Sequence, residues 1–266
     1  MYTDERAAVP RRRSVVATAA LSFLAVMMAA CSSTSDAGSA GAEPPGRDRV
    51  VIFARHAESW SNVASENRSG VAIPDINPTD ALGPVGDLPL TERGARQAEE
   101  LAQQLSGVVT DVHASAQIRT FQTARAVAID AGLPVDADWN LREISVPSGD
   151  SAAVMDYMKA ILADERRDEK VGADGVPGES YNQTEERVQV FWDRFVSEYK
   201  GREGTSLIVT HGGIMMLHLS EYCSNREKLT PEFMFANQMT YTGQLEAVLS
   251  ADGSLRCTRW GDKSLE

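Results

Sequence analysis

Three short apolar runs, each ending in a cluster of polar side chains, constrain most strongly what this chain can fold into. VVIFA (50–54) leads into Arg55-His56, DVHA (111–114) into Ser115 and then Arg119, and SLIVT (206–210) into His211-Gly212-Gly213. Such runs suit strands of a buried sheet. Helical patterns separate them. Thr91 can cap a helix with Glu92 in its first turn, followed by Ala95, Ala98, Ala102 and Leu105 at helical spacing. Ser115 is positioned to cap a helix carrying Arg119 to Ile129, residues 151–167 form a further helical pattern, and Ser180 with Gln183 makes a capping box for a helix through Tyr199. Leu245–Leu249 and Leu255–Trp260, around Asp252-Gly253, predict a hairpin. Alternating strands and helices predict an α/β fold: a three-layer α/β/α sandwich with a largely parallel central sheet, whose ligands bind at the carboxyl ends of the strands.

The amino-terminal region follows a different pattern. Arg11, Arg12 and Arg13 precede a small, apolar stretch, VVATAALSFLAVMMAA (15–30), which has the form of a secretory signal and is too short to favour a permanent span. Cys31 directly after Met28-Ala29-Ala30 resembles the lipobox of bacterial lipoproteins, which implies lipidation at Cys31; an ordinary signal or an uncleaved anchor is the alternative. The expected organisation is a signal peptide over 1–30, a flexible tether over 31–48 rich in Ser, Gly, Ala and Pro, and one domain over 49–266. The expected location is the cell membrane, through the lipid anchor and facing outside the cytoplasm. The formal net charge of −12 argues against nucleic-acid partners and adhesion to anionic lipid. An anionic ligand must therefore be held by local arginines. Cys223 and Cys257 are free to pair in an exported protein, with two buried thiols as the alternative.

The segments ARHAESWSN, ASAQIRTFQTA and VTHGG resemble the three signatures of the histidine phosphatase superfamily, which includes cofactor-dependent phosphoglycerate mutases. DLPLTERGARQAEELAQQL (87–105) and PGES (177–180) also resemble family segments, so the likeness runs from residue 50 to about 215. It implies that His56 attacks phosphorus and becomes a phosphohistidine, that His211 hydrogen-bonds a phosphoryl oxygen, and that Arg55, Arg119 and Asn62 bind phosphate. Positive groups are needed because a nucleophile approaching a phosphate dianion meets like charge. Glu143, in NLREIS, is the family-like proton donor to the leaving oxygen, with Glu58 and Glu179 weaker candidates. Gly212 and Gly213 permit close backbone approach. His113 and His218 have no metal-ligand spacing and read as structural. No metal and no cofactor are expected.

Two departures from the family pattern stand out. Ala57 replaces the usual glycine after the nucleophile, and the stretch from Asn62 to Asp87 is longer than in minimal members, which predicts a loop over the site that shapes substrate choice. Nothing resembles the mutases' extended substrate-binding segment. The expectation is a phosphomonoester hydrolase acting on a small phosphorylated substrate or a phosphoprotein. The rivals are a phosphoglycerate-type mutase, a non-catalytic lipoprotein that binds a phosphorylated ligand, and a structural envelope lipoprotein.

Overall fold

The computed structural model describes residues 46–65, 87–144, 151–163, 165–170 and 178–266. The signal segment, Cys31, most of the tether and residues 66–86 of the long stretch after Asn62 lie outside the described residues. A compact unit spans Glu43–Glu266.

Seven strands form one mixed sheet in the order β3-β2-β4-β1-β5-β6-β7. The strands are β1 (Arg49–Arg55), β2 (Asp111–Ser115), β3 (Val135–Asp138), β4 (Gly204–Thr210), β5 (Gln244–Leu249), β6 (Leu255–Trp260) and β7 (Lys263–Ser264). β1 to β4 pair in parallel, whereas β5, β6 and β7 extend the sheet antiparallel from β1. The run β3-β2-β4-β1 is thus parallel, with the continuous apolar strands β1 and β4 at its buried centre, and the predicted hairpin forms the other flank.

Alternation along the strands feeds two cores. Val51, Phe53 and Ile208 join one cluster, while Ile52, Ala54, Leu207 and Val209 join the other. The first is filled by Val188, Phe191, Trp192 and Phe195 of helix α5 (Tyr181–Tyr199) and by Ile214 and Met215 of α6 (Gly212–Leu217). Leu101 of α2 (Glu92–Gln104) and Ala124 and Val127 of α3 (Ile118–Ala131) fill the second. Helices therefore cover both faces of the sheet. Truncating Phe191 or Phe195 to alanine would cost about 3–5 kcal/mol.

Local chemistry sets the helix ends. Thr91 Oγ1 accepts from the Gly94 amide at 2.9 Å, and a Cβ at position 94 would lie 1.9 Å from the Glu58 carbonyl, so the first turn of α2 packs there only as glycine. Ser180 and Gln183 form the expected capping box on α5. Two expectations are corrected. Helix α4 (Ser151–Leu162) stops short of residue 167, where the chain turns and Arg166 takes a left-handed φ of 55°. Ser115 does not cap α3: it ends β2, Gln117 is the N-cap residue, and Asp87 supplies the carboxylate that accepts from the Ile118 amide at 2.8 Å. Two short helices, α1 (Trp60–Ser65) and α7 (Pro231–Ala236), complete the described elements of this type.

Cys223 and Cys257 are joined as a disulfide with their Cα atoms 5.5 Å apart, tying the segment after α6 to β6. His113 on β2 lies between Asp111 (3.1 Å) and Asp136 (3.2 Å). His218 is the residue that ends α6 rather than part of its interior; it is stacked on Tyr181 and bonded to Glu185 at 2.6 Å.

Candidate active site

The parallel register delivers the two signature histidines to one place. Arg55 pairs with Thr210 at the carboxyl ends of β1 and β4, so His56 and His211 are each one residue past the sheet. The His56 amide donates to the Thr210 carbonyl at 2.9 Å, and the two rings meet edge to face with centroids 5.2 Å apart. Both are almost wholly buried, at 3% and 0% exposure.

Arg119, from the first turn of α3, reaches between them. Its Nε donates to His56 Nε2 at 3.2 Å, Nη2 to His211 Nδ1 at 3.3 Å, and Nη1 to Asp87 Oδ1 at 3.2 Å. A guanidinium only donates, so the ring nitrogens it meets must be acceptors. The proton of His56 is then on Nδ1, which donates to the Ala57 carbonyl at 2.7 Å. The proton of His211 is on Nε2, which donates to Ser115 Oγ at 3.0 Å. Both rings are neutral in this arrangement. Burial first, then Arg119 and Arg55, hold His56 well below the ordinary histidine value, and burial, Arg119 and His56 do the same to His211.

Arg55 turns to the segment before β5, its Nη1 donating to the Met239 carbonyl at 2.7 Å and its guanidinium carbon 4.5 Å from the centre of the Tyr241 ring. Glu143 follows a single turn of 3-10 helix, Trp139–Leu141, beyond β3. Its carboxylate accepts from the Gly213 amide at 3.2 Å, two residues after His211, and a Cβ on Gly213 would lie 2.6 Å from Glu143 Oε1. Gln117 links this segment to the arginine: its Oε1 accepts from the Glu143 amide at 2.8 Å and from Arg119 Nη2 at 3.4 Å. Arg187 on α5 pins the same segment, donating to the carbonyls of Asn140 (2.6 Å) and Glu143 (3.3 Å) while paired with Glu179.

Arg55, His56, Arg119, His211 and Glu143 are thus gathered at one end of the parallel strands. Asn62 begins differently: its Oδ1 accepts from the amide (3.0 Å) and hydroxyl (2.8 Å) of Ser59, so any donation to phosphate comes from Nδ2. The two weaker acid candidates are engaged elsewhere. Glu58 is buried and bonded to Thr91 (2.9 Å) and Arg93 (3.2 Å), and Glu179 is shared by Arg142 and Arg187. Sequence reasoning missed Asp87 and Tyr241, whose contacts are with residues far along the chain, and Gln117, which joins nearby Arg119 to the distant Glu143 amide. The one available signal was the acidic residue opening DLPLTERG. Among the described residues no group of three or more His, Cys, Asp or Glu is placed to hold a metal ion.

No curated protein sequence matches the chain significantly. Solved structures share its fold: mycobacterial glucosyl-3-phosphoglycerate phosphatase (20% identity, TM-score 0.56, covering 82% of this chain and 100% of that one), phosphoserine phosphatase of Entamoeba histolytica in complex with 3-phosphoglyceric acid (20%, 0.55, 81% and 98%), and phosphoglycerate mutase of Bacillus anthracis (17%, 0.56, 82% and 95%). At these identities the likeness concerns the fold, and it includes both phosphatases and a mutase. The model of the histidine phosphatase superfamily (branch 1) matches residues 51–263, and the chain belongs to that family.

Proposed function

We propose that the protein hydrolyses phosphomonoesters in two steps through a phosphohistidine at His56, without a metal. The observation that carries this reading is the tautomer of His56: with Nδ1–H fixed on the Ala57 carbonyl, the lone pair of Nε2 points toward Arg119, where a phosphoryl group would be held. In the first step Nε2 attacks phosphorus, the P–O bond to the leaving group breaks, and Glu143 gives that oxygen its proton. In the second, water attacks phosphorus, Glu143 takes a proton from it, and the N–P bond breaks to release inorganic phosphate. Arg119 exchanges its bond to His56 for one to a phosphoryl oxygen, while Arg55, His211 and Asn62 hold the others. Fixed donors in a site this buried act more strongly than they would in water.

Hydrolysis rather than phosphoryl shift is supported by the absence from the sequence of the mutases' substrate-binding segment. The same reading places the mature domain outside the cytoplasm on a lipid at Cys31. It is supported by the basic and apolar leader and by a disulfide that persists in oxidising compartments.

A chromogenic aryl phosphate, offered with a chelator present, tests the chemistry. We expect turnover by the wild-type protein, one phosphoryl group on the rapidly quenched enzyme by intact mass, and neither with His56→Ala. Activity that survives in the variant, or that the chelator abolishes, overturns the mechanism. Export and anchoring are checked by fractionation, in which Cys31→Ser is expected to leave the membrane fraction.

A further inference from the structure

We propose that Tyr241 is a positioning residue for Arg55, holding the guanidinium toward the phosphate site from a turn built on strained backbone; the inference rests on the functional reading given above. Arg55 ends β1, and the turn before β5 grips its backbone on both sides. The Arg55 amide donates to the Gly243 carbonyl at 3.0 Å, and its carbonyl accepts from the Thr242 amide at 3.1 Å. The side chain returns to the same turn, with Nη1 on the Met239 carbonyl at 2.7 Å and the guanidinium carbon 4.5 Å from the Tyr241 ring centre, within cation–π range. That ring also lies 6.4 Å from the ring of His56. One aromatic side chain thus borders both the cation and the nucleophile.

The flank of Arg55 is open. A cavity of about 270 Å³ is lined by Arg55, Arg93, Gln97, Thr240 and Tyr241. A long side chain beside such a space has other rotamers to use, so packing alone does not select the one that faces phosphate. Among the described residues, the Met239 carbonyl and the Tyr241 ring make the selection.

The backbone carries the mark of this task. Thr242 has a φ of 57°, in the left-handed region that a β-branched residue avoids. Its hydroxyl donates to the Tyr241 carbonyl at 2.7 Å, and the Gly243 amide donates to the Thr240 carbonyl at 3.0 Å. Strain of this kind persists only where the surroundings over-determine the conformation. Here the surroundings are β1 and Arg55, and relaxing residue 242 would carry the neighbouring ring away from the guanidinium.

Equilibrium binding of inorganic phosphate to the full-length protein tests the proposal without requiring turnover. Tyr241→Leu is expected to weaken phosphate binding by about tenfold and to raise KM more than it lowers kcat, whereas Tyr241→Phe, which keeps the ring, stays within about twofold of wild type. Tyr241→Gln accompanies the leucine variant, so the comparison does not depend on one substitution folding. In an Arg55→Ala background, Tyr241→Leu is expected to cost nothing further. Equal losses for Phe and Leu, wild-type binding by Leu and Gln, or an undiminished loss without Arg55 would overturn it. Hydrolysis that survives His56→Ala defeats the catalytic reading and leaves this result standing; Tyr241 variants that bind phosphate normally defeat the positioning role and leave the catalysis standing.

Discussion

Asp87 binds Arg119 with one carboxylate oxygen and the amide end of the helix that carries Arg119 with the other. Oδ1 accepts from Nη1 at 3.2 Å and Oδ2 from the Ile118 amide at 2.8 Å. One buried acid therefore fixes both the cation and the helix terminus that would face a phosphate. Burial raises the Asp87 carboxyl above its ordinary value, opposed by the Ile118 amide and Arg119.

Replacing this charge exposes how far the site depends on an anion. Asp87→Asn leaves the Arg119 guanidinium buried without its carboxylate, so stability should fall by about 3 kcal/mol in phosphate-free buffer. Inorganic phosphate offers Arg119 another anion and should raise the melting temperature of the variant more than that of wild type. Equal phosphate shifts in the two proteins would show that Asp87 and phosphate do not share this cation.

The histidines make stability and catalysis depend on pH over different ranges. Burial, then Arg119, keep His56 and His211 neutral in the folded protein well below 6.5, whereas an unfolded chain takes up protons there. The unfolded state therefore binds more protons as the pH drops through about 6.5, and stability falls by up to about 1.4 kcal/mol per pH unit for each ring. Above about pH 7.5 this contribution no longer varies. Denaturant titrations from pH 8 to 5 measure the slope. His56, the proposed nucleophile, stays unprotonated over this range, so the acid limb of kcat/KM should lie below the ordinary histidine range after correction for the ester's own second ionisation at about pH 6.

Glu143 should matter in proportion to how badly the leaving group needs a proton. Glu143→Gln is expected to lower kcat/KM about 10²- to 10³-fold on alkyl phosphates and only a few-fold on nitrophenyl phosphate, whose oxygen departs without help, while kcat, which includes hydrolysis of the shared phosphohistidine, falls on both. Gly213→Ala should reproduce that selectivity, because the added methyl would fall 2.6 Å from Glu143 Oε1 and displace the carboxylate. Steady-state kinetics with the two ester classes distinguish a proton donor from a residue that merely shapes the site, which would affect both alike.

The Cys223–Cys257 bridge closes a loop with a sequence separation of 34 residues. Constraining the unfolded chain in this way stabilises the fold by about 3–4 kcal/mol on the chain-entropy estimate. Urea unfolding with and without reductant should show a difference of that order, and paired Cys→Ser substitutions should match the reduced protein.

The parts of this molecule written in continuous runs or repeating patterns were legible in the sequence. β1 and β4 are apolar on both faces, β2 places Val112 and Ala114 on one face, and α2 and α5 announce their starts at Thr91 and Ser180. β3 was not legible because VDAD is short and largely acidic, and strand pairing with β2 rather than its own pattern makes it a strand. The site divides in the same way. Arg55, His56, Arg119 and His211 lie beside strand ends or in recognisable segments, so their convergence followed from the order of elements. Asp87, Gln117 and Tyr241 join it through contacts that no local spacing encodes. Ser115 was located but misread: its hydroxyl accepts from His211 across a sequence separation of 96, and a carboxylate from another part of the chain takes up the cap.

The described segments on either side of residues 66–86 are laced together. Ser59 and Leu90 form an isolated antiparallel bridge, the Trp60 amide donates to the Pro89 carbonyl at 3.0 Å, and the Leu88 amide donates to Ser61 Oγ at 3.1 Å. Because the neck is closed by its own hydrogen bonds, the tract beyond it can grow or shrink cheaply, each doubling of its length costing only about 0.6 kcal/mol in closure entropy. A change in the length of that tract would therefore leave Asp87 in place to hold Arg119 and the amide end of α3.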